Sequence, residues 1–250
     1  MAKAIVKKGN TTALAKWDDE LAKFAEEVSS KEQMPGGSFL SFKAGQISIA
    51  GTPVKGNSLQ VIIMDSIFEN CLYEGDYDAD NPQPPSCYAF GREDADLKPH
   101  EEATDPKCEQ CAGCPMNDWG SSEKGKGKAC KNTRRLAIIS ANGLSPESVE
   151  NGELLFARLP VTSVKGWCYY VKSLAATLKR PPFGVVTEIS SVPDAKTQFK
   201  VTFTPVGPVP NEVVGAIMER RKAVQEQIAF PYPKASEKKP AAKGKKGRKF

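Results

Sequence analysis

The sequence is organised around a stretch rich in cysteine and lysine, residues 108–135. It reads Cys108-Glu-Gln-Cys111-Ala-Gly-Cys114-Pro-Met-Asn-Asp-Trp119-Gly-Ser-Ser-Glu-Lys124-Gly-Lys126-Gly-Lys128-Ala-Cys130-Lys131-Asn-Thr-Arg134-Arg135. Four of the seven cysteines fall within 23 positions, and four lysines follow Cys114. Because the Gly-Lys-Gly-Lys run has no apolar side chains to bury, we expect something other than a hydrophobic core to order this stretch.

A bound metal ion is the simplest ordering element. Thiolates two residues apart can hold one ion from a tight turn, and two more distant ligands complete a tetrahedron. Cys108 and the only histidine, His100, compete with Cys87 for the fourth ligand position. A closed site of this kind is typical of structural zinc, whereas an iron–sulfur cluster is less favoured because the later cysteine spacing does not match. The predicted zinc ligands are Cys87, Cys111, Cys114 and Cys130.

The lysines and arginines of the same stretch are candidates for contact with phosphate groups. Glycines between them let the backbone approach a ligand closely, and the positive charges can replace counterions. The alternative is a solvated loop kept soluble by its charges. The predicted phosphate contacts are Lys124, Lys126, Lys128, Lys131, Arg134 and Arg135.

Length and charge set the domain organisation. A chain of 250 residues can bury one substantial core, so we predict one domain over residues 1–233, with residues 76–132 as a Cys-rich insertion. No apolar run is long enough for a membrane span, and we expect no membrane partner. Residues 234–250 hold eight Lys and Arg against one Glu, a balance of +7 in a chain of net charge +5, which leaves −2 for the rest. This composition predicts a disordered basic tail suited to nucleic acid.

Apolar periodicity predicts an α+β protein. Strands are expected at residues 38–42, 46–50, 59–73, 135–140, 153–158, 183–189 and 199–203, the last two joined by a turn at Pro193. Helices are expected after Thr11 or Thr12, after Ser163, and from Glu212 to Ile228 after an Asn211 cap. This order of elements favours an OB-fold-like β-barrel with flanking helices and a zinc-binding insertion between strands 2 and 3.

The cysteine motifs carry a resemblance to a known group of proteins. Cys87, Cys111-x-x-Cys114-Pro-x-Asn117-x-Trp119-Gly-Ser and Gly125-Lys-Gly-Lys-Ala-Cys130-Lys resemble bacteriophage-encoded proteins, some of which are similar to single-stranded DNA-binding proteins. The resemblance is specific over residues 84–140. It implies a viral protein in the cytoplasm of an infected bacterium, with zinc held by the four cysteines named above, and Cys108 is extra to that pattern.

The leading functional hypothesis is a non-enzymatic protein that coats single-stranded DNA during phage replication or recombination, together with phage replication proteins. Bases would stack on aromatic residues in polar surroundings, although each of these could equally cover the core or the metal site. The stacking candidates are Tyr73, Tyr77, Tyr88, Phe90 and Trp119.

Two other classes remain open. One is a zinc-containing transcription or host-takeover factor that binds host RNA polymerase or another host protein through an acidic loop, Glu69 to Asp105. The other is a metal nuclease, which would need Asp65 and the cluster Asp76 to Asp80. The sequence does not indicate an oligomeric state.

Overall fold

A computed structural model describes residues 38–75, 83–123 and 125–233. The chain divides into two units, residues 1–37 and 38–250, and the description concerns the second. The predicted N-terminal helix, the cluster Asp76 to Asp80 and the basic tail lie outside the described residues.

The described part contains nine strands and three α-helices. The strands are β1 (Ser38–Lys43), β2 (Gln46–Ile49), β3 (Thr52–Pro53), β4 (Ser58–Leu72), β5 (Cys87–Gly91), β6 (Lys131–Ser140), β7 (Leu155–Arg158), β8 (Val185–Asp194) and β9 (Gln198–Pro208). The helices are α1 (Pro146–Asn151), α2 (Val161–Thr177) and α3 (Asn211–Gln227).

All nine strands belong to one strongly curled sheet in a mixed α+β fold. Its order is β3-β2-β1-β7-β6-β4-β8-β9, and β5 pairs with β4 beside this path. The β1–β7 pair is parallel and every other pair is antiparallel. The α+β class and a barrel-like curvature are therefore confirmed.

The long strand β4 is the centre of the sheet. It pairs with β6 from Val61 to Cys71, with β8 through its first residues and with β5 through its last. Consecutive residues Ile62 and Ile63 are both buried because both faces of the sheet are covered. This arrangement explains why β4 reads as a continuous apolar run without alternation.

Two hydrophobic clusters lie on the two faces of the sheet. One contains Ile63 and Leu136 and is covered by Trp167 and Leu174 of α2. The other contains Ile62, Ala137, Ile139 and Phe156 and is covered by α1 and α3, together with the segment after α3. Each face of β4 and β6 therefore has its own helical layer.

Asn57, the residue before β4, connects the first hairpin to β8 through its side chain. The β1–β2 turn has positive φ at Ala44 (51°) and Gly45 (80°), the geometry that suits a two-residue hairpin. The Asn57 amide Nδ2 donates to Gly45 O (2.7 Å) and to Ser191 O on β8 (3.1 Å), and its Oδ1 accepts from Ile47 N (2.6 Å). One side chain thus ties the first hairpin to β8.

Several sequence-based boundaries need correction. The cysteine-bearing segment joins β4 to β6 and contributes β5 to the sheet, so it does not lie between the second and third strands. Neither Ser163 nor Asn211 caps its helix, because Pro160 and Pro210 occupy the cap positions and both residues lie in the first helical turn. Ser163 Oγ instead accepts from Val201 N (2.9 Å). The predicted turn residue Pro193 lies within β8 and pairs with Phe199.

Candidate metal centre and nucleic-acid interface

Five cysteines line one small cavity at the end of β4. Cys87 begins β5, Cys130 precedes β6, and Cys108, Cys111 and Cys114 come from the connection between β5 and β6. The cavity has a volume of about 20 Å³, which is room for one water-sized particle. The four predicted ligands are therefore brought together, and the predicted alternate Cys108 lies beside them.

Tight turns position these thiols. Cys114 N donates to Cys111 O (3.3 Å), and Gly113 between them has a φ of 76°, which a residue with a Cβ adopts at a cost. Cys130 is brought back to this turn by its backbone N–H, which donates to Met116 O (2.8 Å). The Cys-x-x-Cys motif and the distant cysteine are thus held by backbone hydrogen bonds.

Four of the clustered thiols, those of Cys87, Cys108, Cys111 and Cys130, have raised pKa values. Burial, together with Cys111, Cys87 and Cys114, raises the pKa of Cys130 to about 12. A hydrogen bond with Cys114 and burial raise the pKa of Cys108 to about 11. In residues 38–75, 83–123 and 125–233, no three His, Cys, Asp or Glu side chains stand at metal-binding positions. A cation would favour the ionised thiols because it offsets their mutual repulsion.

A buried amide lies beside Cys111, one of the thiols that line the cavity. Asn70 on β4 is 2% exposed, and its Oδ1 accepts from Asn132 Nδ2 (2.7 Å). Its Nδ2 has no partner with hydrogen-bond geometry among the described residues. Burial raises the pKa of the Cys111 thiol, and the nearby Asn70 amide acts against this effect. An N–H donor that lacks a partner beside clustered thiols fits a site for thiolate ligands, because thiolates accept hydrogen bonds.

The other predicted alternate, His100, does not line this cavity. Its ring stacks on Tyr88 with 5.1 Å between centroids, and its Nδ1 accepts from Glu102 N (3.1 Å). Cys71 is also separate: burial raises the pKa of its thiol to about 12, and it lies beside Glu69. Both side chains are parts of the packing around β4.

An exposed aromatic residue and several cations lie next to the cysteine cavity. Trp119 is 80% exposed, and Lys128 Nζ lies 5.9 Å from the centroid of its ring. Lys128 Nζ also donates to Oδ1 of Asn117 (3.2 Å), a residue that lines the cavity. Lys126 and Lys131 are exposed. These residues can offer stacking and positive charge to a solvated ligand.

Arg134 has a different environment. It is half-buried, and its guanidinium lies 3.5 Å from the centroid of Phe68 on β4. Tyr73 is 38% exposed, and its hydroxyl accepts a hydrogen bond from Arg158. The predicted contacts Lys124 and Tyr77 lie outside the described residues.

Two predicted DNA contacts, Arg135 and Tyr88, need correction because they are buried, and a third, Phe90, is half-buried. Arg135 is 2% exposed, and its Nη2 donates to Oε1 of the fully buried Glu69 (3.1 Å). Tyr88 is 3% exposed, and Phe90 lies between Arg135 and Tyr232, a residue of the segment after α3. Arg135 and Tyr88 are therefore not available to bases or phosphates, and Phe90 is half-buried against the second core.

Three of the carboxylates that the alternative hypotheses would use, Asp65, Glu74 and Asp105, are engaged in ion pairs. Asp65 receives two hydrogen bonds from Arg92 (3.1 and 2.7 Å), and Arg221 Nη2 lies 3.6 Å from its Oδ1. In the acidic loop, Lys107 pairs with both Glu74 and Asp105. Asp65 is therefore held by arginines, whose positive charges oppose the binding of a metal cation.

Sequence reasoning missed a basic face on α2. Lys165, Tyr169 and Lys172 are exposed at i, i+4 and i+7, and Lys165 Nζ lies 5.6 Å from the Tyr169 ring centroid. Tyr169 is 62% exposed. The available signal was charge: residues 154–187 contain five Lys and Arg and no Asp or Glu.

Comparisons with protein families, with curated proteins and with solved structures found no significant match for this chain. Among the helices of the described residues, none has the length and apolar character needed to cross a membrane.

Proposed function

We propose that this protein binds single-stranded DNA without sequence preference and serves phage DNA replication or recombination. The observation that carries the proposal is the exposed Trp119 ring with Lys128 beside it, on a segment whose exposed lysines have no acidic neighbours between residues 124 and 146. Aromatic faces stack on any base and cations follow the phosphates, so such a surface does not depend on sequence.

We also propose that a structural zinc ion orders this segment. Its ligands would be four of the five thiols that line the cavity, with Cys87, Cys111, Cys114 and Cys130 as the expected set. The ion would supply the cross-link that the polar connection between β5 and β6 lacks, and it would have no open position for a nucleophile.

The strand order supports an OB-like barrel as the platform. The run β7-β6-β4-β8-β9 contains five strands, and α2 connects β7 to β8. An OB fold pairs its five strands in the order 3-2-1-4-5, and a helix connects strand 3 to strand 4. The run in this protein has that order when β4, β6, β7, β8 and β9 are taken as OB strands 1 to 5. The cysteine-bearing connection then corresponds to the loop between the first two barrel strands, which often contacts nucleic acid in such folds.

The test is a titration of the full chain with single-stranded oligo-dT and with matched duplex at two salt concentrations, with elemental analysis of the same sample. We expect tighter binding to the single strand, weaker binding at the higher salt, and about one zinc per chain. Trp119→Ala should lower single-strand affinity about tenfold while duplex affinity stays nearly unchanged. Equal affinity for both forms, or none for either, would contradict the proposal and favour a partner among host proteins.

A further inference from the structure

We propose that the bound single strand crosses β6 and α2, so that it reaches from Trp119 beside the cysteine cavity to Tyr169 on α2. This inference rests on the proposed single-strand binding and states where the strand lies. We call this surface the β6–α2 face. It adds α2, which carries none of the cysteine motifs, to the binding site.

The opposite surface of β6 and β7 is already covered. Ala137, Ile139 and Phe156 pack against Val213 and Ile217 of α3. Phe230, which follows α3, also lies on Phe156, with 4.8 Å between ring centroids. OB-type barrels commonly bind nucleic acid on their second and third strands. In this protein the corresponding outer surface is covered by other parts of the chain, so single-stranded DNA needs another face.

Three cation–aromatic pairs mark the β6–α2 face. Lys128 lies over Trp119 (5.9 Å), Arg134 over Phe68 (3.5 Å) and Lys165 over Tyr169 (5.6 Å). The two outer rings are largely exposed, and the central pair is half-buried. A ring that stacks on a base, with a cation beside it for the phosphate, is the pairing that single-strand binding uses repeatedly.

The order of these pairs follows from the packing. Asn117 joins Lys128 to the cysteine cavity, and Asn70, which lies near the thiol of Cys111, accepts a hydrogen bond from Asn132 on β6. Arg134 follows two residues later on the same face of β6, the face whose Leu136 packs with Trp167 of α2. The central pair therefore lies on the sheet that α2 covers, and the outer pairs lie on the cysteine-bearing connection before β6 and on the exposed side of α2.

The charge distribution agrees with this location. Residues 124–146 hold six Lys and Arg and residues 154–187 hold five, and neither range contains Asp or Glu. Residues 38–123 hold five Lys and Arg against fifteen Asp and Glu. The positive charge of the folded part is therefore concentrated in the two ranges that form β6, β7 and α2, where a polyanion is attracted most strongly.

The experiment compares variants of the full chain for binding to an oligo-dT of about 20 nucleotides, long enough to span a site of this kind. Tyr169→Leu keeps an apolar side chain but removes the flat ring, and we expect about tenfold weaker binding. Tyr169→Phe keeps the ring and should bind like the unaltered protein. The double variant Lys165→Gln with Lys172→Gln should flatten the slope of log affinity against log salt by about 1.4.

Matched controls come from α3. Lys222 is exposed there and pairs with Glu219 (3.0 Å), so Lys222→Gln should leave the affinity and the salt slope unchanged. Circular dichroism and the urea midpoint of each variant show whether it remains folded.

A gain of affinity provides an independent readout. Asp94 is exposed, and its charge interacts with Arg134. Asp94→Asn should tighten single-strand binding about threefold at low salt, because one repulsive charge near the phosphates is removed.

Two failures can be told apart. If the unaltered protein does not bind oligo-dT, the proposed function fails. If it binds and Trp119→Ala weakens binding, while Tyr169→Leu and the Lys165/Lys172 variant match Lys222→Gln, the proposed function stands and the β6–α2 face is wrong.

Discussion

Glu69 is a fully buried carboxylate at the centre of a dense set of contacts. Its Oε2 accepts from Arg135 Nε (3.3 Å), and its Oε1 accepts from Arg135 Nη2 (3.1 Å) and from the Tyr232 hydroxyl. Arg135 in turn lies over Phe90 and Phe230 and donates to the backbone carbonyl oxygens of Ile228 and Phe230. This ion pair therefore fastens the segment after α3 to the sheet.

Removal of only one partner of the Glu69–Arg135 ion pair should destabilise the fold. Glu69→Leu leaves the Arg135 charge buried without a counter-charge, and we expect the free energy of unfolding to fall by about 3–5 kcal/mol. The double variant Glu69→Leu with Arg135→Met should recover most of this loss, since neither charge then remains. Urea denaturation of the three proteins measures the difference, and a double variant as unstable as the single one would show that charge imbalance is not the cause.

The Asn70 side chain is expected to affect zinc affinity at the proposed metal site. With zinc bound, its Nδ2 can donate to the Cys111 thiolate, and contacts of this kind change metal affinity by about 10- to 100-fold. Asn70→Leu should therefore bind zinc more weakly by about that factor. Competition with a chromophoric chelator measures the affinity. Unchanged or tighter binding would mean that the amide gives the ion no support, since an unpaired buried donor is itself unfavourable.

At the scale of elements, the sequence predicted the apolar strands well. The expected strands at residues 38–42 and 46–50 correspond to β1 and β2, and the run from residue 59 corresponds to β4. These segments are determined by β-branched and aromatic residues with clear turns at Gly45 and Asn57. Local composition and tertiary packing agree there, so the prediction succeeded.

Polar strands were missed because their pairing is decided by distant partners. β6 begins at Lys131, four residues before the prediction, since its polar residues Asn132 and Thr133 pair with the polar end of β4. β5 was assigned to the insertion, yet Tyr88 and Phe90 bury their rings against Tyr232 and His100. A single sequence does not show which polar residues will face a covered surface.

The same reasoning explains the outcome for the site. The spacing of the cysteines identified residues that line one cavity, because metal ligands must converge. Exposure was harder to predict: Trp119 is exposed and Tyr88 is buried, although both stand in polar surroundings in the sequence. Whether an aromatic ring is free depends on which elements pack over it.

The local folding of the cysteine-bearing connection is expected to depend on the metal. Cys114→Ser removes one thiol from the cavity, so we expect loss of zinc and loosening of residues 97–130, because metal binding and local folding are coupled. Hydrogen exchange of the amides in this range should become faster. The amides of the β8–β9 hairpin serve as the control and should remain protected, since Ile189 and Val201 are buried in the cluster under α2. Equal loss of protection in both regions would contradict a local role for the metal.

At the scale of the molecule, charge is sorted along the chain. Residues 38–123 are acidic, the ranges 124–146 and 154–187 are basic, and residues 234–250 carry +7. If the charges served only solubility, they would not need to be segregated into acidic and basic ranges of the sequence. The basic ranges that include β6, β7 and α2 and the basic residues 234–250 can act on the same polyanion in different ways.

Removal of residues 234–250 should separate these two contributions. The segment holds eight Lys and Arg and, apart from Phe250, no large apolar residue, so its loss removes counterion release but little packing. We expect weaker binding to oligo-dT and a flatter salt dependence, with a nearly unchanged Tm. The preference for single strands over duplex should persist or increase, because a run of positive charges is attracted to phosphate wherever it is dense, whereas stacking on Trp119 and Tyr169 needs unpaired bases. Matched single- and double-stranded oligonucleotides at moderate salt provide the measurement, and a truncated protein that bound both equally would assign the preference to the tail and remove the folded surface as its source.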